Sequence, residues 1–233
     1  MSRQPAPRQP AEVAEVPRTT QIWVTDVLRD RIMSGAAPVG TRLRQVDISA
    51  ELGVSTTPVR EAFRALAAEG LVRIDAHRGA VVHALTPAEC IEVLELLDVI
   101  EADNLRHAVA AMTPDALAAA EAIQARMRRA RPERWILLNR DFHLALGAPS
   151  GRRRALALLR DLLNLSALHI RDEIENMPGR MAEALAEHEE LLAACRRGDG
   201  EEAAAIIHRH TLAPLNNLRR LRDVPAPAPG ADG

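Results

Sequence analysis

The apolar positions in the first third of the chain predict short helices joined by glycine-containing turns. Over residues 20–34 the apolar side chains recur at near-helical spacing, and Gly35 follows as a residue suited to end a helix. A turn over residues 35–40 leads to a second predicted helix, Gln45–Leu52, which Gly53 ends. The pattern therefore indicates two short helices before residue 54.

A third predicted helix carries the clearest apolar stripe of this region. Its apolar residues lie at i, i+3, i+4 and i+7, the spacing that buries one face of a helix. Ser55 or Thr57 can cap its start, Pro58 suits its first turn, and Gly70 ends it. The residues of the stripe are Val59, Ala62, Phe63 and Leu66.

Two β-prone runs follow the third helix. They cover residues 71–74 and 80–83, and the residues between them form the tip of a small predicted hairpin. From Thr86 onward the chain is a series of about six Ala- and Leu-rich helical segments separated by Pro and Gly. We therefore predict a mostly α fold that has a single small β-hairpin.

The order of these elements predicts two units with a tail at each end. Residues 20–84 form a winged helix-turn-helix, in which the hairpin is the wing, and residues 85–222 form an all-α helical bundle. Residues 1–19 and 223–233 are rich in Pro and Ala and are predicted to be disordered tails.

Composition supports helices and separates the two units weakly by charge. Aromatic residues make up 2% of the chain and Tyr is absent, so Leu, Ala, Val and Ile must fill the interior, as in close-packed helices. Residues 1–84 hold 11 Arg and 9 acidic residues, whereas residues 85–233 hold 19 Arg and 23 acidic residues. The front part is therefore net positive, which favours DNA binding there.

The apolar segments give no sign of export or of a membrane span. The chain lacks an apolar run of about 18 residues, and its first 17 residues lack the apolar core of a secretory signal. Cys90 and Cys195 are too few and too far apart to indicate a disulfide framework. We expect a cytoplasmic protein with two free thiols.

Short polar and cationic residues on the third helix are candidates for DNA contact. The second helix of a helix-turn-helix buries one face and presents its N-terminal end to the groove. Thr56, Thr57, Arg60 and Arg64 lie on the face that the apolar stripe leaves free. Hydroxyls and N–H groups at the helix start can bind phosphate, and Arg60 can reach a phosphate or a guanine edge. The alternative is a packing module or a protein-binding surface.

This region resembles the GntR family of bacterial regulators. The resemblance rests on Gly-Thr-Arg-Leu at 40–43, Leu-Gly-Val-Ser-Thr-Thr-Pro-Val-Arg-Glu-Ala at 52–62 and Leu-Ala-Ala-Glu-Gly-Leu at 66–71, and residues 77–82 are similar to that family's wing tip. Many members have Arg where Thr56 stands, so one common DNA contact is absent. The candidate DNA-binding residues are Arg44, Ser55, Thr56, Thr57, Pro58, Arg60, Arg64, Arg78 and Gly79.

Three histidines border apolar stripes on separate predicted helices of the second unit. Asn139 and His143 are four residues apart and share one helix face, while His188 and His210 lie on two later helices. Three imidazoles and an amide oxygen can converge on one divalent cation, most readily zinc or nickel. Alternatively, each histidine is an ordinary hydrogen-bonded residue of the core.

The second unit resembles the FCD domain of the FadR-type branch of the GntR family, roughly over residues 86–222. The resemblance implies a bundle of six or seven helices in which an Asp-x-x-Phe-His motif, a Glu-His motif and a final histidine bind a metal beside a carboxylate ligand. His143 and His188 match the first two motifs, and His210 fits the last, with His208 as its neighbour and competitor.

This chain departs from that pattern in two places. Asn139 stands where the family has Asp, which removes a negative charge from the metal ligands and favours an additional anion once a cation is bound. Leu97 stands where many members have an Arg that grips the effector. The chemical class of the effector is therefore open at this point.

Together, these features predict a DNA-binding transcriptional regulator and not an enzyme. One short recognition helix contacts few base pairs, so we expect a homodimer on a palindromic double-stranded operator. A small effector, a carboxylate by resemblance, is expected to control operator affinity through the metal site.

Two alternatives stay open, a metal-dependent enzyme built on the same histidines and a constitutive DNA-binding dimer without an effector. The enzyme has little support, because the chain lacks a His-Glu-x-x-His motif and Asp141 points about 200° away from His143 on an ideal helix.

Overall fold

A computed structural model describes residues 19–75 and 79–223. Nine α-helices and one three-stranded sheet lie within these residues. The two predicted tails lie mostly outside the described residues, and Arg78 lies wholly outside them. Within the described part, no helix is both long enough and apolar enough to cross a bilayer.

The N-terminal unit is a three-helix cluster beside a small sheet, as the apolar pattern predicts. The central strand of the sheet is β3, which pairs in antiparallel fashion with β1 on one side and β2 on the other. The elements are α1 (Thr20–Ser34), β1 (Arg42–Leu43), α2 (Gln45–Leu52), α3 (Thr56–Ala68), β2 (Val72–Asp75) and β3 (Gly79–Val82).

Local capping explains where these helices begin and end. The Thr19 hydroxyl accepts a hydrogen bond from the Ile22 N–H at the start of α1, and Gly35 ends α1 in the left-handed conformation with φ 83°. Ser55 occupies the N-cap position of α3 but makes no side-chain cap bond, and Thr57 lies inside the helix, so the proposed Thr57 cap is wrong. The helix therefore starts without a side-chain cap, and its first N–H groups stay available to another acceptor.

The remainder of the described chain is a bundle of six helices, which confirms the mostly α prediction. Proline opens three of the helices, and α4 also begins with a capping box between Thr86 and Glu89. The helices are α4 (Pro87–Ala110), α5 (Pro114–Met127), α6 (Pro132–Gly147), α7 (Arg153–Asn176), α8 (Arg180–Arg197) and α9 (Gly200–Asp223), and a short 3₁₀ turn spans Ala148–Ser150.

The two units share side chains across their boundary, where α1 packs against α6 and α7. Met33 of α1 is fully buried in the core of the helical bundle, and Leu168 of α7 is buried in the core of the winged helix. Arg140 of α6 donates to the Asp30 carboxylate at 3.3 Å and lies 3.3 Å from the Met33 sulfur. Through these contacts α6 is directly connected to the first helix of the DNA-binding unit.

Candidate functional sites

The free end of α3 presents the predicted DNA-contacting residues to solvent. Ser55, Thr56 and Thr57 are exposed at its first turn, and Pro58 is half-buried beside them. One face of the helix is anchored by its buried apolar stripe, as predicted from the spacing. The free face therefore carries hydroxyls and open N–H groups at the positive end of the helix dipole, where phosphate binds well.

The two arginines of α3 are exposed and share one acidic partner. Arg64 donates to the Glu61 carboxylate at 2.9 Å, and the Arg60 Nε lies 3.5 Å from the same oxygen. Ion pairs this exposed are weak and exchange readily for phosphate or a base edge. Arg44 is also exposed, with Asp47 at 3.8 Å. Sequence reasoning did not single out Glu61, although its position between the two arginines was visible.

The backbone conformation at Gly79 and its close contact with strand β1 require a glycine at this position. Its φ is 99°, and a Cβ at this position would lie 2.2 Å from the Leu43 carbonyl oxygen. Strand β3 therefore needs glycine to approach β1 closely. Arg78, the neighbouring candidate, lies outside the described residues.

The predicted histidines come together in the middle of the helical bundle. His143 lies on α6, His188 on α8 and His210 on α9, and one nitrogen from each ring lies within 4.8 Å of the other two. The first two side chains are buried, and His210 is nearly so. His208 is exposed instead and bonds to Asp98 at 2.8 Å, so it takes no part in the cluster.

Each ring is held by one hydrogen bond at its Nδ1 atom. The Nδ1–H of His143 donates to Glu101 of α4 at 2.7 Å, and that of His210 donates to Glu187 of α8 at 2.6 Å. The Nδ1–H of His188 donates to the Gln124 amide oxygen at 3.2 Å. Because these oxygens can only accept, Nδ1 carries the proton in each ring, and the Nε2 lone pairs stay free for a metal ion.

The amide of Gln124 is itself fixed in orientation. Its NH₂ group donates to the Leu185 carbonyl at 2.9 Å and to Glu189 at 3.1 Å. The amide oxygen is thereby turned toward His188, which keeps the tautomer of that ring fixed. Sequence reasoning missed Glu101, Gln124 and Glu187 as supports for the histidines, although Glu187 directly precedes His188.

Two buried atoms in this cluster lack a hydrogen-bond partner among the described residues. They are the His188 Nε2 and the Asn139 Oδ1, and both side chains are at most 3% exposed. A buried acceptor without a partner is costly, and coordination to a cation would satisfy such an atom. Asn139 lies one helical turn before His143, as predicted, so the four proposed ligands fit a divalent metal chemically.

Burial favours the neutral, metal-binding form of His188 and His210. Burial and the neighbouring His210 and His143 lower the pKa of His188 well below its ordinary value. Burial likewise lowers the pKa of His210, although its hydrogen bond to Glu187 opposes the shift. Both rings are therefore neutral near pH 7, and a metal ion displaces no proton from them.

A cavity adjoins the cluster, with walls that are largely apolar. Leu97, at the position where the family resemblance implies an arginine, is one of the buried apolar side chains of that wall. The same cavity has a positively charged side chain in another part of its wall. Arg180, at the start of α8, lines the cavity and is 8% exposed. Sequence reasoning missed Arg180, since nothing in its local pattern distinguishes it from an exposed arginine.

The carboxylates that bond to the cluster are engaged by its imidazole rings. Glu101 and Glu187 are engaged by histidines, and Asp141 is bonded to Arg140 at 2.8 Å on another face of α6. Glu101 and Glu187 are thus placed to orient the imidazole rings.

Comparison with protein families matches both units of the chain. Residues 23–82 match the model described as bacterial regulatory proteins of the gntR family, and residues 92–213 match the FCD domain. The second match covers more than half of the 233 residues.

Curated relatives include regulators named for sugar metabolism. The chain is 39% identical over 88 residues to a probable D-xylose utilization operon transcriptional repressor of Paenarthrobacter nicotinovorans, which is 36% of this chain and 39% of that protein. It is 40% identical over 83 residues to the gluconate operon transcriptional repressor of Bacillus subtilis, 36% of this chain and 34% of that protein. These two matches thus span less than half of either repressor.

An uncharacterized HTH-type regulator of Agrobacterium vitis matches over more of its length. It is 32% identical over 128 residues, which is 52% of this chain and 75% of that protein. Among solved structures, McbR/YncC of Escherichia coli has a TM-score of 0.77 at 22% identity and covers 87% of this chain and 98% of its own. A putative GntR regulator of Rhodococcus has a TM-score of 0.74 at 24% identity, over 89% and 100% of the two chains. At these identities the structures establish the shared fold.

Proposed function

We propose that this chain, which belongs to the GntR family of bacterial regulatory proteins and carries an FCD domain, is a DNA-binding transcriptional regulator. A divalent metal ion and a small carboxylate effector control its operator affinity. The observation that carries the proposal is the buried cluster of three imidazoles, each held at Nδ1 with Nε2 left free.

In this proposal α3 enters the major groove of the operator. Thr56 and Thr57 contact phosphate through their hydroxyls and the open N–H groups, and Arg60 reads a base edge. Arg44, Arg64 and Arg78 add phosphate contacts, while Ser55, Pro58 and Gly79 shape the backbone that presents them. Two copies of the chain bind a palindromic site, since one short helix reads too few base pairs for useful specificity.

Asn139, His143, His188 and His210 would hold the metal ion, with zinc or nickel best suited to imidazole nitrogens. When bound, the ion supplies open coordination positions for a carboxylate. The chain's own residues set the ring tautomers, exclude water with apolar walls and supply the carboxylates that balance the charge.

The contacts of α6 support coupling between this site and the DNA-binding unit. Asn139 and His143 face the cluster, while Arg140, on another face of the same helix, bonds to Asp30 of α1. A ligand that shifts α6 would therefore shift α1 and with it the spacing of two recognition helices in a dimer.

Metal analysis of protein purified without a His tag tests the proposal. We expect about one zinc or nickel ion per chain after dialysis against that metal, and none in His143→Ala or His188→Ala. An effector that weakens binding to a selected operator should lose its effect after chelation. Absence of metal from the parent would overturn the metal site, and an effector response that survives chelation would overturn the coupling. Operator binding that no carboxylate alters would indicate a constitutive DNA-binding dimer.

A further inference from the structure

Glu61 is an acidic side chain on the face of α3 that the proposed function turns toward DNA. With about 100° per residue on an ideal helix, Glu61 lies about 30° from the centre of the face opposite the buried stripe, beside Thr57 and Arg64. Its side chain is 34% exposed. Because the phosphates of DNA repel a carboxylate at this position, Glu61 opposes the binding of α3 to the DNA backbone.

Both arginines of the free face bond to this one carboxylate. The Arg64 Nη1 donates to the Glu61 Oε1 at 2.9 Å, and the Arg60 Nε donates to the same oxygen at 3.5 Å. Arg64 therefore has the shorter and stronger bond of the two. In the free protein, Glu61 thus neutralises part of the positive charge that the free face would otherwise present to DNA.

The exchange of these ion pairs costs more on a phosphate than over a suitable base. When Arg64 leaves Glu61 for a phosphate, the carboxylate loses its strongest donor and lies near a second anion. A base amine in the major groove can replace that donor. Cytosine presents its N4 amine there, whereas adenine places the acceptor N7 beside its amine, so cytosine suits a carboxylate better.

We propose that Glu61 is a specificity-determining residue of α3, which accepts a hydrogen bond from the amino group of an operator cytosine and thereby releases Arg64 to a phosphate. This inference rests on the proposed function. Over other sequences Arg64 stays bonded to Glu61, so α3 has one cation fewer for the DNA backbone. The carboxylate therefore weakens binding to DNA in general and spares the operator.

Arg60 extends the same selection to the other strand. It directly precedes Glu61, and its side chain is 53% exposed. Arginine binds guanine through O6 and N7, and a carboxylate binds cytosine through N4. Two adjacent side chains of opposite charge thus favour G·C pairs under this part of α3.

Paired affinity measurements on full-length Glu61→Gln test the inference. The two probes are a duplex that the parent selects from a random pool and a scrambled duplex of the same length. We expect Glu61→Gln to bind the scrambled duplex more tightly than the parent does, and the ratio of the two affinities to fall about tenfold. The salt dependence on the scrambled duplex should steepen by about 0.9, the slope of one added phosphate contact.

A merely structural role of Glu61 predicts a different result. Damage to α3 would lower both affinities together, and this outcome, like an unchanged ratio, would overturn the inference. Glu61→Ala is a second variant, because alanine is a strong helix former, and it should lower the ratio in the same direction.

Glu51→Gln is the matched control. Glu51 lies on α2, its side chain is 53% exposed, and its carboxylate lies 2.6 Å from the Arg31 guanidinium. The substitution therefore removes the same charge and frees an arginine of the same unit, but away from the free face of α3. The affinity ratio should equal that of the parent. An equal fall of the ratio in Glu51→Gln and Glu61→Gln would mean that net charge alone sets it, which would overturn the assignment.

Changes to the DNA test the cytosine contact on the parent protein itself. Cytosines of the selected duplex are replaced one at a time by 2-pyrimidinone, which lacks the amino group. Parent affinity should fall about tenfold at one cytosine of each half-site, and Glu61→Gln should lose most of that sensitivity. Equal binding of every replaced duplex by the parent would overturn the contact, and this measurement decides the matter even if no variant folds.

The outcomes distinguish this inference from the proposed function. If Arg60→Ala loses affinity for the selected duplex while Glu61→Gln keeps the affinity ratio of the parent, α3 reads the operator and this inference alone is overturned. If the parent binds the selected and scrambled duplexes equally, sequence-specific operator binding and this inference both fail.

Discussion

The exposed end of α3 and the buried histidine cluster hold their candidate functional side chains in opposite ways. On α3, Arg60 and Arg64 are more than half exposed and share Glu61 from the same helix. In the cluster, the three rings come from helices that are up to 67 residues apart in sequence, from position 143 to position 210, and each is fixed by a buried or half-buried partner.

This difference has a physical reason. Long, solvated cations can adapt to a DNA backbone whose charge attracts them at a distance, so little preorganisation is needed. A metal ion needs several donors in fixed geometry, and fixing them in advance removes the cost of ordering them on binding. The comparison therefore predicts that a mutation on α3 lowers DNA affinity only through the contact that it removes. In the cluster, a mutation of a ring or of the residue that hydrogen-bonds to it should lower metal affinity more strongly.

The largest effect is expected from His188→Ala. This change removes the ring whose Nε2 is buried without a hydrogen-bond partner in the described chain, so zinc affinity should fall more than about a hundredfold. Competition titration with a chromophoric chelator measures the change. His208→Ala is the matched control, since His208 is exposed on α9, and it should leave zinc affinity unaltered. Equal losses in the two variants would contradict the site.

Arg60→Ala should come next in size. Loss of a bidentate base contact costs about 1–3 kcal/mol, so affinity for a duplex selected by the parent should fall roughly tenfold or more at fixed salt. Arg106→Ala removes an exposed arginine of the helical bundle, paired with Glu201, and serves as the control. If both variants bind the duplex like the parent, α3 does not read the operator.

Glu101→Gln tests whether the cluster depends on its supporting hydrogen bonds. Glu101 accepts from His143 at 2.7 Å, and a neutral amide there weakens this support and the basicity of the free nitrogen. Zinc affinity should fall about tenfold, the smaller end of the usual range for such partners. Glu92→Gln, an exposed change on the same helix, should have no effect. An unchanged affinity in Glu101→Gln would show that the ring needs no such support.

Thr57→Ala should give the smallest effect. The hydroxyl makes one phosphate contact in the proposed complex, and the N–H groups at the helix start can keep the phosphate in place. We expect a loss of a few-fold in DNA affinity, measured by fluorescence anisotropy, with unchanged helix content by circular dichroism. A loss as large as that of Arg60→Ala would assign Thr57 a base contact instead.

Local patterns predicted the elements of this fold well. Apolar spacing and Gly35 define α1 to the residue, and Gly53 ends α2 as expected. The strands of the hairpin lie one residue from the predicted runs, and β1 was missed because two residues carry no periodic signal. Of the two predicted caps of α3, Ser55 takes the N-cap position and Thr57 does not, and Ser55 makes no capping hydrogen bond, because a capping residue type does not ensure one.

Nonlocal features of the site were only partly accessible from the sequence. Spacing brought Asn139 and His143 to one face, but their convergence with His188 and His210 depends on how three helices pack. Gln124 contacts His188 across 64 residues of sequence, and no local pattern encodes such a pairing. Arg180 was missed for the same reason, since its burial is decided by the cavity and not by its neighbours in sequence.

The most direct test of the account is anomalous diffraction at the zinc absorption edge from crystals of the zinc-loaded full chain. We predict one peak per chain, about 2.0–2.1 Å from the Nε2 atoms of His143, His188 and His210 and close to the Asn139 amide oxygen. Absence of a peak, or a peak bound only by other side chains such as His208 and Asp98, would contradict the assignment of this cluster as the metal site.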